Sequence, residues 1–432
     1  MNIEECMSFI NSYTKSGGRI TDLSRAADLM ERIGDPQKRL KFVHIAGTNG
    51  KGSTLEYIAN ALQFSGYKTG KFTSPFILRY NDRIRINDDE IDEESLCSIA
   101  EFVKERVGDM AYSQFEITMA IALLWYEREK CDIVVLETGI GGLLDCTNVI
   151  PPPLISVITS ISLDHTAVLG DTLEKIAYEK SGIIKMGRAV VYNRQEECVN
   201  SVIENEAEKK GCKVYIPYKA EMISTDIHGS VIKYRDKELF LSLPGQHQLK
   251  NVSLVLRAVD VLRDLGIEIS DEAVKNGISS VKIPARFECV SDDPLIILDG
   301  AHNPGGLQAL SDSIDRYLYD KKIICIMGML KDKDCKSSLK ALKGKLYKVI
   351  TTQINDNPRK LSSEELKAIA GEYFCDITAE SDVKTAVLKA VELANSTENP
   401  AVLVCGSLYL AAQIREFLCE GCEQHKKGRH IY

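Results

Sequence analysis

Residues 42–46, Phe-Val-His-Ile-Ala, form a short, mostly apolar run of the kind required of a parallel strand covered on both faces. After a turn, Leu55, Ile58, Ala59 and Leu62 recur at helical spacing, which predicts a strand, a turn and a helix in that order. Upstream, residues 3–13 and 23–33 read as helices, the second introduced by the cap-like Thr21-Asp22. Downstream, residues 71–75 predict a strand ending in a loop, 115–127 a helix, and 132–136 an apolar strand closed by Glu137. Residues 154–162 repeat the strand theme and end in Asp164-His165. Residues 172–182 read as a helix and 189–192 as a strand. Short alternating runs over 213–243 predict a small β-rich subdomain, followed by a helix bearing Leu254, Leu256, Val259 and Leu262. From Leu295 the alternation of strand and helix restarts, with strands at 295–298, 323–327, 347–351 and 401–405. The expected fold is α/β. A P-loop-type doubly wound, mostly parallel sheet with a small β-rich subdomain fills residues 1–290, and a smaller Rossmann-like α/β domain fills 295–432.

The turn after the first strand, Gly47-Thr-Asn-Gly-Lys-Gly-Ser53, carries candidate chemistry. Its glycines let backbone N–H groups approach an anion, Lys51 offers a point charge to phosphates, and Ser53 or Thr54 can place a hydroxyl on a phosphate-bound Mg²⁺. The spacing departs from the general phosphate loop, since two residues separate Gly47 from Gly50 and Gly52 falls between Lys51 and Ser53. Glu137 ends a core strand beside Gly139, Gly141 and Gly142, the place where an open α/β sheet presents ligands. With His165 it forms a plausible hard-cation site, oxygen for Mg²⁺ and imidazole as a second-choice ligand. The plain alternatives are a solvated loop acid and a helix-capping histidine. The basic run at 79–85 reads equally as a solvated edge strand or an anion site.

With 432 residues, 44% of them hydrophobic and 27% charged, the chain has the composition of a globular protein of two domains. The net charge of −8 argues against a nucleic-acid partner. No apolar run reaches the length of a membrane span, and a start of Met-Asn-Ile-Glu-Glu-Cys lacks the basic character of a signal peptide, so a cytoplasmic location is expected. Thirteen cysteines scattered through apolar segments fit reduced, buried thiols, and the lone C-x-x-C of Cys419 and Cys422 has no partner at zinc-site spacing.

Taken together, the phosphate loop, Thr73-Ser-Pro75, Phe115-Glu116, Leu136-Glu-Thr-Gly-Ile-Gly-Gly142, Thr159-Ser-Ile-Ser-Leu-Asp-His-Thr166, Glu179-Lys-Ser-Gly182, Pro284-Ala-Arg286, Leu298-Asp-Gly-Ala-His-Asn-Pro304 and Gly328-Met-Leu-Lys-Asp-Lys-Asp334 resemble the folylpolyglutamate synthase and dihydrofolate synthase family, relatives of the muramyl-peptide ligases. The resemblance covers nearly the whole chain. It implies an ATP-dependent amide ligase of folate metabolism, in which ATP phosphorylates a carboxylate, the amine of L-glutamate attacks the acyl phosphate, and ADP and phosphate leave. Its carboxylate substrates would be dihydropteroate, reduced folates or both, and the enzyme would act as a monomer.

Position by position, the resemblance implies that Thr48, Asn49, Gly50, Lys51, Gly52 and Ser53 cradle the triphosphate, and that Ser74, Glu137 and His165 hold Mg²⁺. Asn251, Arg286 and Asp299 would contact the nucleotide. Asp22, Leu23, Ser24, Ser113, Gln114, Phe115, Glu116, Leu144, Asp145 and Cys146 would contact the pterin side. Lys51, His165 and Lys180 would be the catalytic set, with Lys180 carried as a carbamate that adds an anionic ligand near Mg²⁺. A surface lysine is the plain alternative there. Two positions depart from the family pattern, Leu143 where arginine is usual and Phe76 where histidine is usual. Competing readings are a ligase of the same class that uses another amino acid, a nucleotide-switch ATPase, and a silent scaffold.

Overall fold

The computed structural model describes residues 1–14, 22–355 and 357–426, with side chains to residue 419. Two compact units divide the chain: the first holds residues 1–221, 233–239 and 250–281, the second 222–232, 240–249 and 282–432. Residues 282–290 therefore fall in the second unit, ahead of the division expected near residues 290–294.

The first unit is built on an eight-stranded sheet. Its strands are β1 (Phe42–Ala46), β2 (Thr69–Phe72), β3 (Ile84–Ile86), β4 (Asp89–Glu90), β5 (Ile133–Glu137), β6 (Ile155–Ile158), β7 (Ala189–Tyr192) and β8 (Val214–Tyr215), in the order β4-β3-β2-β5-β1-β6-β7-β8. Six strands run parallel, and β3 and β4 add an antiparallel edge. β1 lies between β5 and β6, and every residue of β1 and β5 is buried, which is why both read as unbroken apolar runs. The second predicted strand begins and ends earlier than expected, leaving residues 73–75 in the loop. Helices Lys51–Phe64, Glu93–Val107 and Gln114–Arg128 belong to this unit. Glu93–Val107, absent from the expectation, buries Leu96, Ile99, Ala100, Val103 and Val107 and is capped by Asp92, whose side chain accepts from the Ser95 N–H.

Helix Ser24–Arg32 starts from Leu23 without a side-chain cap, although Asp22 Oδ1 accepts from the Ser24 N–H at 2.8 Å. The expected cap Thr21 lies outside the described residues, as does the Cys422 side chain. All described cysteines are free, in keeping with the reduced thiols expected.

The β-rich stretch divides. β8 joins the large sheet, while β9 (Glu221–Asp226), β10 (Gly229–Tyr234) and β11 (Lys237–Leu241) make a three-stranded sheet. The second unit holds a six-stranded sheet of β12 (Glu288–Asp292), β13 (Leu295–Leu298), β14 (Lys322–Met327), β15 (Lys348–Thr351), β16 (Ile377–Ala379) and β17 (Pro400–Cys405), in the order β12-β13-β17-β14-β15-β16. All its pairings are parallel except β12 with β13. Apolar clusters cover both faces of this sheet, one around Leu307, Leu310 and Leu339 and the other around Val387, Ala390 and Leu410.

Candidate active site

Four loops leave the carboxyl ends of the adjacent strands β2, β5, β1 and β6, which places Ser74, Glu137, residues 47–50 and residues 159–165 along one edge of the large sheet. The phosphate loop is pinned there by the loop after β6. The Thr48 N–H donates to Ser160 O at 2.7 Å, Thr48 Oγ1 donates to Ser162 O at 3.1 Å, and Ser160 Oγ donates to Asn49 O at 3.0 Å. Gly50 has φ +88°, and an added Cβ there would meet Asn251 Oδ1 at 2.5 Å. Asn251 thus borders the loop. Helix Lys51–Phe64 begins at once, and its first backbone bond runs from the Thr54 N–H to Gly50 O, so the amides of residues 51–53 precede that ladder at a helix N-terminus. Ser53 and Thr54 are both buried, at 5% and 0% exposure.

Lys51 Nζ stands 3.7 Å from Glu137 Oε1 and donates to Thr48 O at 3.3 Å. Glu137 is buried, not a solvated loop acid, and its Oε2 accepts from the Ser74 N–H at 3.4 Å. Lys180 is buried as well, which removes the surface-lysine alternative, and its Nζ donates to Gly47 O at 2.8 Å. Burial, then the charge of Lys51, pulls the Lys180 ammonium down to about 7, against the attraction of Asp164, Asp145 and Glu137. His165 has φ +50° and occupies the N-cap position of the short helix Thr166–Leu169, but its side chain does not cap. Asp164 Oδ1 accepts from the His165 N–H at 2.8 Å.

Gly142 and Gly182 explain the tight packing of the following loop on helix Leu173–Ser181. A Cβ on Gly142 would come within 2.9 Å of the Glu179 and Lys180 carbonyl oxygens, and one on Gly182 within 2.2 Å of Leu143 Cα. Leu143, at the position where the family pattern has arginine, is part of this backbone contact, donating its N–H to Glu179 O at 2.7 Å. Leu144 is half-buried and Cys146 buried. The Asp145 carboxylate accepts four hydrogen bonds, from the N–H groups of Gly139, Ile140 and Thr147 and from Thr147 Oγ1. It shapes its own loop. Thr147 Oγ1 also lies 2.9 Å from His44 Nε2. Because the hydroxyl donates to Asp145, it accepts from His44, which fixes the proton on Nε2. Complete burial, then Lys185, lowers the His44 pKa to about 3, so this core histidine is neutral.

On the expected pterin side, Ser113 caps helix Gln114–Arg128 in a capping box with Glu116. Glu116 also takes Arg25, with Nε at 2.9 Å and the second contact at 2.8 Å. Gln114 Nε2 donates to Asn11 Oδ1 at 2.7 Å. The Phe115 ring packs on Phe72, with centroids 5.6 Å apart, and blocks any side chain at Gly139. Asp22 and Ser24 are exposed and Leu23 is half-buried. Two arginines join this cluster, Arg25, which the sequence did not mark, and Arg83 from the basic run. Arg25 follows directly on the expected Asp22-Leu-Ser24. Arg83 is buried with its guanidinium 5.7 to 5.9 Å from the ring centres of Phe115, Tyr80 and Phe76. The basic run is therefore not uniform: Arg79 is exposed and pairs with Glu90, Arg85 pairs with Glu56, and Arg83 is buried facing aromatic rings.

In the second unit, Asp299 follows β13. Its Oδ2 accepts from the Phe287 N–H at 2.9 Å and its Oδ1 from the Ala301 N–H at 2.8 Å. Burial raises its pKa against the pull of Arg286. Ala285 and Phe287, the neighbours of Arg286, both have positive φ, +56° and +48°, a strained backbone of the kind held at functional sites by its surroundings. The Asp299 carboxylate and the Glu288 carboxylate, which accepts from the Ala285 N–H at 2.9 Å, are those surroundings. His247, half-buried near Arg286, is pulled down to about 4 by desolvation and that charge.

Residues 45–259 match the Mur ligase middle domain, and residues 285–408 match the domain described as "Mur ligase, glutamate ligase domain". The chain is 34% identical over 434 aligned residues to the dihydrofolate synthase/folylpolyglutamate synthase of Bacillus subtilis, covering 96% of this chain and 99% of that protein. It also resembles a solved structure of Escherichia coli FolC in complex with DHPP and ADP, with TM-score 0.86, 30% identity, and coverage of 97% of this chain and 98% of that one. A structure of Mycobacterium tuberculosis folylpolyglutamate synthase complexed with ADP superposes with TM-score 0.88 at 27% identity, covering 100% of this chain and 99% of that one. The likeness runs the length of both units, and the chain belongs to the folylpolyglutamate synthase and dihydrofolate synthase family of the Mur ligases.

Proposed function

We propose that the edge of the large sheet around Lys51 is where this ligase binds and activates ATP. The chain is an ATP-dependent ligase that joins L-glutamate to folates, in keeping with the names of its relatives and with ADP in two of the related structures. The observation that carries the assignment of the site is the meeting of Lys51, Glu137 and Lys180 on the glycine loop, with Lys51 Nζ 3.7 Å from Glu137 and Lys180 Nζ 2.8 Å from Gly47 O.

The chemistry needs no protein nucleophile. The loop amides and Lys51 neutralise charge on the transferring phosphoryl group, and the loop holds the terminal phosphate in line with the acceptor carboxylate. The donor set of the Ser74 hydroxyl, the Glu137 carboxylate and the His165 imidazole fits a hard divalent cation, with oxygen dominant. Mg²⁺ held by these residues would supply Lewis-acid polarisation of the phosphate oxygens. Buried Lys180, with its pKa pulled to about 7, has a large neutral amine fraction at physiological pH, as carbamate formation requires. The pterin end is assigned to the cluster of Phe115, Glu116, Leu144 and Cys146, now extended by Arg25 and Arg83.

Both dihydropteroate and reduced folates are proposed as acceptors, with the enzyme acting as a cytoplasmic monomer. Among the described residues, no helix is long and apolar enough to cross a membrane. The test is ATP turnover in the presence of glutamate with dihydropteroate or a tetrahydrofolate. Turnover with both supports the reading; turnover with neither, while other carboxylic acids with glutamate or another amino acid succeed, overturns the substrate assignment.

A further inference from the structure

Far along the chain from the phosphate loop, the second unit brings together three side chains of different chemistry. His228 stands in the turn between β9 and β10, and Cys289 and Asp292 lie on the edge strand β12. One ligand atom of each lies within 4.8 Å of the other two.

The backbone explains the convergence. Three residues apart on a regular strand, Cys289 and Asp292 would point to opposite faces. The register with β13 slips between Cys289 and Ser291, pairing Cys289 with Ile297, Ser291 with Ile296 and Asp292 with Leu295. Val290 is the extra residue of a bulge, and the bulge returns Cys289 and Asp292 to the same face. The opposing turn is held on the same unit. The Asp226 carboxylate accepts from the His228 N–H at 2.8 Å, and Thr225 Oγ1 lies 2.7 Å from the Tyr317 hydroxyl.

We propose that His228, Cys289 and Asp292 form a zinc-binding site that ties the β9–β10 turn to the edge of the C-terminal sheet, with a water completing the fourth position. The distances favour a tetrahedral ion. Bonds of about 2.3 Å to sulfur and about 2.0 to 2.1 Å to nitrogen and oxygen put the S···O edge of a tetrahedron at about 3.5 Å and the N···O edge at about 3.3 Å. Cys289 Sγ stands 3.5 Å from Asp292 Oδ1, and His228 Nε2 stands 3.7 Å from the same oxygen. Two edges are thus nearly formed, and the His228 ring, whose side chain is 61% exposed, is free to close the third by rotation. The thiol has two acceptors in reach, Ser291 O at 3.4 Å and Asp292 Oδ1 at 3.5 Å, and binding exchanges its proton, released to solvent, for the cation. One thiolate, one imidazole and one carboxylate suit zinc over Mg²⁺ or Ca²⁺, which prefer oxygen alone.

The test uses the full chain, excess Mg²⁺ to fill oxygen-rich sites, and Co²⁺ as a spectroscopic stand-in for Zn²⁺. The expected result is one equivalent of Co²⁺ with a thiolate-to-cobalt charge-transfer band, bleached by Zn²⁺. The band is lost in Cys289→Ser and in His228→Ala, and kept in Cys375→Ser, which removes an exposed cysteine elsewhere. Zn²⁺ alone should raise the unfolding temperature of the parent but not of His228→Ala, a surface substitution that leaves the metal-free fold intact. No band in the parent, or a band that survives both ligand substitutions, overturns the site.

Discussion

Lys180 shows how far a single side chain departs from its type once buried. An ordinary lysine is fully charged at neutral pH, whereas this one, 4% exposed and beside Lys51, is pulled down to about 7. Lys180→Ala should therefore abolish ligation, with partial rescue by added short carboxylates if the residue works as a carbamate, while Lys180→Arg, charged at any working pH, should not be rescued. The readout is ATP turnover with glutamate and a folate. Lys51→Ala removes the cation proposed to face the phosphates and should lower turnover about 10²–10³-fold, the usual effect of deleting one electrostatic contact in an active site. His44 sets an acid limit. Its folded pKa of about 3 lies below the unfolded value near 6.5, so the unfolded chain takes up the proton first as pH falls. Its burial costs nothing above pH 6.5 and about 2 kcal/mol at pH 5, a loss that grows down to pH 3. Denaturant unfolding of the parent and of His44→Gln at pH 7 and pH 5 checks this, with the variant losing less on acidification.

At the scale of the element, the phosphate loop depends on backbone that only glycine adopts cheaply. Gly50→Ala would place a Cβ at positive φ and 2.5 Å from Asn251 Oδ1, and should destabilise the first unit by about 1–3 kcal/mol and weaken nucleotide binding together. The strand, turn and helix around it were legible in the sequence because each depends on near neighbours: an apolar run, glycines, and a 3.6-residue repeat. Helix Glu93–Val107 was equally legible, with an aspartate cap and apolar residues at helical spacing, yet the reading assigned nothing there. The pterin-side elements behaved differently. Glu116, which the sequence marks through its Phe-Glu motif, takes hydrogen bonds from Ser113 and Arg25, partners that lie next to it in space and, for Arg25, 91 residues away in sequence. Arg25→Ala leaves a carboxylate with 3% side-chain exposure without its cation and should cost about 2–3 kcal/mol. Urea unfolding measures that cost, and Arg25→Lys should recover part of it.

For the whole molecule, two units with separate cores make unfolding a sum of events whose response to ligand reports where binding occurs. ADP at 100 times its dissociation constant should stabilise the unit that binds it by about 2.7 kcal/mol, visible as a raised unfolding temperature that Lys51→Ala loses. The α/β alternation, the glycine-rich turn after β1, the strand-terminal Glu137 and the family likeness could all be read from the chain, because these are written in residues that act within a few positions of one another. Packing alone shows that the Asp145 carboxylate accepts four hydrogen bonds from its own loop, that Lys180 is buried on Gly47, that Arg83 faces three aromatic rings, and that a bulge turns Cys289 toward His228. Each of these depends on burial or on a contact between distant segments, and a residue's charge, reach and partners are set by what folding packs around it.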